Sequence, residues 1–107
     1  MQSPVWLSYD LGVRGDYEGM YVLLDSLGAT ECGDSTSYCV FKYSKDLLAE
    51  LKATIKKHVS LSPRARVYVI YPPGNGKYKG KFLFGRRKRP AWAGFAGQGS
   101  DEEDEGE

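Results

Sequence analysis

The stretch Ser44–Tyr71, SKDLLAELKATIKKHVSLSPRARVYVIY, decides the fold. In its first half the apolar residues Leu47, Leu48, Leu51, Ile55 and Val59 recur three and four apart, which is one face of a helix. Ser44 stands where a capping hydroxyl belongs and Asp46 suits the positive first turn. Lys56, Lys57 and His58 suit the negative last turn. Pro63 ends this pattern, and Ala65-Arg66-Val67-Tyr68-Val69-Ile70-Tyr71 reads as a β-strand rich in β-branched and aromatic residues. The period changes from 3.6 to 2 within a few residues, so a helix leads directly into a strand.

Reading outward toward the N-terminus, Ala29–Cys32 and Ser37–Tyr43 form the arms of a hairpin around Gly33-Asp34-Ser35. Ser37, Cys39, Phe41 and Tyr43 fall on one face of its second arm. Before it, Tyr17, Met20, Tyr21, Leu24 and Leu27 step as a first helix. Asp16 is placed to cap that helix and Gly28 to end it. Residues 4–10, Pro-Val-Trp-Leu-Ser-Tyr-Asp, read as the first strand. Toward the C-terminus, Pro72-Pro73-Gly74-Asn75-Gly76 is a turn. Residues 78–84 then form a last strand, with Tyr78, Phe82 and Phe84 on one face and Lys79 and Lys81 on the other. The order is βαββαβ with an extra C-terminal strand. Two helices can cover one face of a sheet, so the expectation is an α+β, ferredoxin-like sandwich with a mainly antiparallel sheet. Residues 1–92 make this domain; 93–107 are expected to be a disordered Gly-rich, acidic tail. Trp6 alternates with Leu7, and Tyr68 with Val69, so both sheet faces carry apolar groups. That pattern points to a dimer or to a ligand on the second face.

The 107 residues hold 15 Lys+Arg and 14 Asp+Glu, a formal net charge of +1. The charges are sorted along the chain. Residues 1–76 are balanced. Residues 77–89 carry Lys77, Lys79, Lys81, Arg86, Arg87, Lys88 and Arg89 with no acid, and 101–107 carry six acids and no base. Sorted charge bears on partners, not on fold. No apolar run reaches the ~20 residues of a membrane span. The N-terminus, Met1-Gln2-Ser3-Pro4, lacks the pattern of a signal peptide, so the expected location is cytoplasmic. Cys32 and Cys39 with a single His supply neither a disulfide framework nor a zinc set.

Val5-Trp6-Leu7-Ser8-Tyr9-Asp10 resembles the first strand of the small CRISPR-associated adaptation proteins, which ends in Tyr-Asp or Phe-Asp. Tyr38-Cys39-Val40-Phe41 is similar to their Ser-Val-Phe strand, with Cys39 in place of Ser. The group is similar in fold to virulence-associated protein D and to a small RNase antitoxin. The resemblance implies a homodimer in which two copies of Asp10 face each other and hold one Mg²⁺ ion for phosphodiester hydrolysis. Two carboxylates with waters make a usual magnesium site, and the ion can activate water. Arg14 is the one basic residue in the loop after Asp10. The Arg86–Arg89 cluster and the acidic tail are not motifs of that group.

The basic residues 77–89 interleave with Tyr78, Phe82 and Phe84, and Trp92 follows. Arg and Lys neutralise phosphates while flat rings stack on unpaired bases, so this region, with Arg14, is the candidate nucleic-acid surface for RNA or DNA. Lysines on an edge strand also block aggregation, which accounts for Lys79 and Lys81 but not for four consecutive cations at 86–89. Gly74-Asn75-Gly76-Lys77 lacks the longer glycine spacing, the hydroxyl residue and the helix of a phosphate loop, and reads as a hairpin turn. The acidic tail reads most simply as a solubilising disordered end; about a dozen residues from the basic cluster, it is also close enough to compete with nucleic acid for it. Two functions follow from the sequence. One is a nucleic-acid-binding protein with metal-dependent nuclease chemistry centred on Asp10. The other is a non-catalytic interaction or regulatory module of antitoxin or phage type that docks a protein partner.

Overall fold

The computed structural model describes residues 1–97, which include the start of the expected tail; the acidic segment 101–107 lies outside them. Seven elements follow one another: β1 (Gln2–Asp10), α1 (Tyr17–Ser26), β2 (Thr30–Gly33), β3 (Thr36–Lys42), α2 (Leu47–His58), β4 (Arg66–Tyr71) and β5 (Lys79–Phe84). The strands form one open sheet in the order β2-β3-β1-β4-β5, antiparallel at every junction. The fold is thus α+β, as expected. No helix among the described residues is long and apolar enough to cross a membrane.

Strand alternation separates two faces. Val5, Leu7 and Tyr9 of β1, Cys39 and Phe41 of β3, and Val67 and Val69 of β4 are buried. They join Met20, Leu23 and Leu24 of α1 and Leu51 and Ile55 of α2 in one apolar core, so both helices cover the same face. Their neighbours Trp6, Ser8, Tyr38, Val40, Tyr68 and Ile70 face the other side and are partly or fully exposed.

Both helices are capped by aspartates. The Gly19 amide donates to Asp16 Oδ1 at 2.9 Å, and the Ser60 amide, just beyond α2, donates to Asp16 Oδ2 at 2.9 Å. One carboxylate therefore starts α1 and ties it to the end of α2. The α2 cap is Asp46, which accepts from Ala49 N at 3.1 Å; it is not Ser44. Glu50 reaches back to accept from the amides of Ser44, Lys45 and Asp46 at 2.8–2.9 Å. This reciprocal arrangement, a variant of the capping box, uses the Ser44 backbone where its hydroxyl was expected. In α1, Tyr21 is exposed and Leu23 takes the buried place, because the covered stripe is rotated slightly from the sequence pattern. Gly28, at φ +68°, ends α1 as expected.

The last strand departs most from its alternation. Phe82 registers with Tyr68 and Phe84 with Val67, so Leu83 is an extra residue at a β-bulge. The bulge turns both Leu83 and Phe84 toward the core and leaves Phe82 on the open face, so Phe82 and Phe84 do not share a face. Beyond β5 the chain continues in successive turns: Ala93 N bonds Pro90 O, Phe95 N bonds Trp92 O and Gly97 N bonds Gly94 O. Residues 93–97, the start of the expected tail, take this turn structure.

Candidate nucleic-acid interface

The open sheet face carries two aromatic clusters. Trp6 lies 4.9 Å from Tyr38 and 5.6 Å from Tyr78, centroid to centroid. Tyr68 meets Phe82 edge-on at 4.8 Å, and the Arg87 guanidinium lies 5.9 Å from the Phe82 ring. Trp6, Tyr38, Tyr68 and Phe82 come from strand positions that alternation directs away from the helices, and Tyr78 from the loop just before β5. Gly80 makes room for them: a Cβ there would collide with the hydroxyl end of Tyr68.

The basic segment returns over this face. Gly85 makes the return possible. Its φ is +77°, and a Cβ would press on Ala65 O and on the Arg66 side chain. Only glycine combines that conformation with so close an approach. After the turn, Arg87–Trp92 close a cavity of ≈ 630 Å³ whose floor is Ser8, Asp10, Arg66, Tyr68 and Phe82. Arg66, Arg87, Lys88 and Arg89 outnumber the single carboxylate, so the cavity has an excess of positive charge. Trp92, which lines it, is 75% exposed.

Asp10 is committed inside this cavity. Arg66 Nη2 donates to its Oδ2 at 3.1 Å, and the Gly12 amide donates to Oδ1 at 3.2 Å. The Arg66 hydrogen bond first, then the Gly12 amide, and more weakly the Lys88 charge, hold its carboxyl below the ordinary carboxylate range. No group of three His, Cys, Asp or Glu residues among the described residues can hold a metal ion. Within these residues Asp10 has no second carboxylate beside it in the cavity lining. An ion shared by two copies of Asp10, as the resemblance implies, would compete with the Arg66 guanidinium already hydrogen-bonded to Oδ2.

Of the residues singled out in the sequence, the fold brings Asp10, Arg87, Lys88, Arg89 and Trp92 together. Arg86 is exposed and lies outside the cavity. Arg14 is exposed in the turn after Gly12, and the Lys77 amide is tied to Asn75 Oδ1 at 3.1 Å in the β4–β5 turn. Lys79 and Lys81 register with Tyr71 and Val69, residues of the helix-side face, so they stand apart from the open-face cavity. Arg66 is not among the residues singled out, and Tyr68 enters the sequence reading only as an aromatic residue of the second sheet face. Their side-chain parity was readable in β4, but their partners Asp10 and Phe82 emerge only from strand pairing. No family model matches the chain, and neither a curated protein nor a solved structure matches it.

Proposed function

We propose that this protein binds single-stranded nucleic acid on the open face of its sheet. The observation that carries the reading is the convergence of Arg66, Arg87, Lys88 and Arg89 with Tyr68, Phe82 and Trp92 around one cavity. Cations beside the exposed Trp92 and the half-buried Tyr68 and Phe82 suit a strand whose phosphates are neutralised while its bases stack. A duplex hides its base faces, so the rings favour unpaired bases. The sheet is taken as ferredoxin-like with an added edge strand; β3 lying between β1 and β2, with both helices on one face, supports this. Binding is favoured over cleavage because both Asp10 oxygens are already hydrogen-bonded, one of them to a guanidinium.

Fluorescence anisotropy with a labelled oligo-dT or oligo-U tests the reading. Trp92→Ala and Phe82→Ala are expected to weaken binding by about tenfold or more each, since stacking on a ring is worth about 1–3 kcal/mol per base. Arg87→Gln with Arg89→Gln is expected to reduce the dependence of log Kd on log salt by about 1.4, at about 0.7 per phosphate contact. Affinity and salt slope unmoved by all four changes would overturn the proposal.

A further inference from the structure

A second basic groove lies on the helix side of the molecule. It encloses ≈ 690 Å³ between the end of α2, the following loop and the end of β5. Lys52, Lys56, Lys57 and His58 line it, and no acidic residue does. None of the three lysines has a carboxylate within ion-pair distance among the described residues, where the one ion pair is Asp10–Arg66. His58 Nδ1 lies 2.9 Å from Thr54 O, and the three lysines line the groove beside it. Lys56 and Lys57 suit a helix C-terminus, but Lys52 lies a turn earlier and repels Lys56 at i, i+4. Lys52 Nζ lies 5.4 Å from the centre of the Phe84 ring, which the β5 bulge turned to this side.

The two cavities are joined by the chain itself. Phe84 and Gly85 line the helix-side groove, Arg87–Trp92 line the open-face cavity, and exposed Arg86 lies between. Cations thus run from Lys52, Lys56 and Lys57 past Arg86 to Arg87, Lys88 and Arg89. We infer that a nucleic-acid strand seated on the open face continues around the Gly85 corner, and that Lys52, Lys56 and Lys57 form a second phosphate-backbone site. This rests on the open-face reading and extends it to strands too long for that face alone. The rings lie mainly on the first site, so the second contacts phosphates without stacking bases.

The experiment compares labelled oligo-dT of about six nucleotides, which the open face can hold, with one of about twenty, which can reach both sites. The full chain carrying Lys52→Gln, Lys56→Gln and Lys57→Gln together is expected to bind the short strand unchanged. It is expected to bind the long strand about tenfold more weakly, with a salt slope reduced by about 2. Lys42→Gln, an exposed lysine of β3 outside both cavities, is the control and should leave both affinities unchanged. The inference is overturned if the triple variant keeps its long-strand affinity and slope, loses short-strand affinity equally, or is matched by Lys42→Gln. Failure of the open-face reading looks different: wild type would bind the short strand no better than Trp92→Ala does, and this inference would fall with it.

Discussion

Asp10 and Arg66 are register partners across β1 and β4, and the guanidinium of Arg66 donates to Asp10 Oδ2 at 3.1 Å. The residue that looked most like a metal ligand in the sequence is thus the counter-charge of a residue 56 positions away. Asp10→Asn removes the one negative charge from the cavity lining. Single-strand binding is expected to tighten several-fold, and stability to fall by about 0.5 kcal/mol, the scale of an exposed ion pair. Anisotropy and urea denaturation measure the two. With Mg²⁺ added, wild type is expected to leave a labelled RNA intact; cleavage that vanishes in Asp10→Asn would restore the nuclease reading.

Gly85 turns the basic segment back over the sheet, and its substitution tests that corner. Gly85→Ala imposes a positive φ on a residue with a Cβ and crowds Ala65 and Arg66. A destabilisation of about 1–3 kcal/mol is expected, with weaker nucleic-acid binding, because the displaced corner carries Arg87–Trp92. Chemical denaturation and anisotropy on the same variant check both effects. Wild-type stability together with wild-type affinity would remove Gly85 from this role.

Ser37 has a buried Oγ with no hydrogen-bond partner among the described residues, on the core face of β3 opposite Leu7. Ser37→Ala removes an unsatisfied hydroxyl while keeping the backbone ladder. It is expected to raise stability by about 1 kcal/mol, seen as a higher urea midpoint with an unchanged slope.

Three carboxylates give the protein an acid limit. Amide hydrogen bonds hold Asp16 low, Ser60 first and then Gly19; the amides of Asp46, Lys45 and Ser44 hold Glu50 low; Arg66 and then Gly12 hold Asp10 low. Each folded-state pKa lies below its unfolded value, so the unfolded chain takes up protons first as pH falls. Their stabilisation is complete above the unfolded values of about 4 and drains away below that, as pH falls through the folded values. Urea midpoints should be level from pH 7 to pH 5 and drop steeply below pH 4. Asp16→Asn with Glu50→Gln should flatten that drop.

Periodicity made much of the fold legible. The 3.6-residue spacing from Leu47 to Val59 and the alternation in 4–10 and 65–71 are local signals, set by which side chains one backbone segment can place on one face. They sufficed for the element order and for grouping Ser37, Cys39 and Phe41 on one face of β3. Capping was harder to place, because Ser44 and Asp46 are both good caps and only the folded backbone shows which side chain meets a free amide.

The sequence by itself determined the elements, which residues of each inner strand share a face, and the concentration of positive charge between Lys77 and Arg89. The tertiary structure alone decided how that charge is divided. The bulge at Leu83 leaves Phe82 on the open face and turns Phe84 to the other, beside Lys52, and the corner at Gly85 returns Arg87–Arg89 to the open face. The physical reason is that strand pairing is non-local: a bulge or a partner residue depends on a chain segment elsewhere, and one inserted residue reverses every side chain after it.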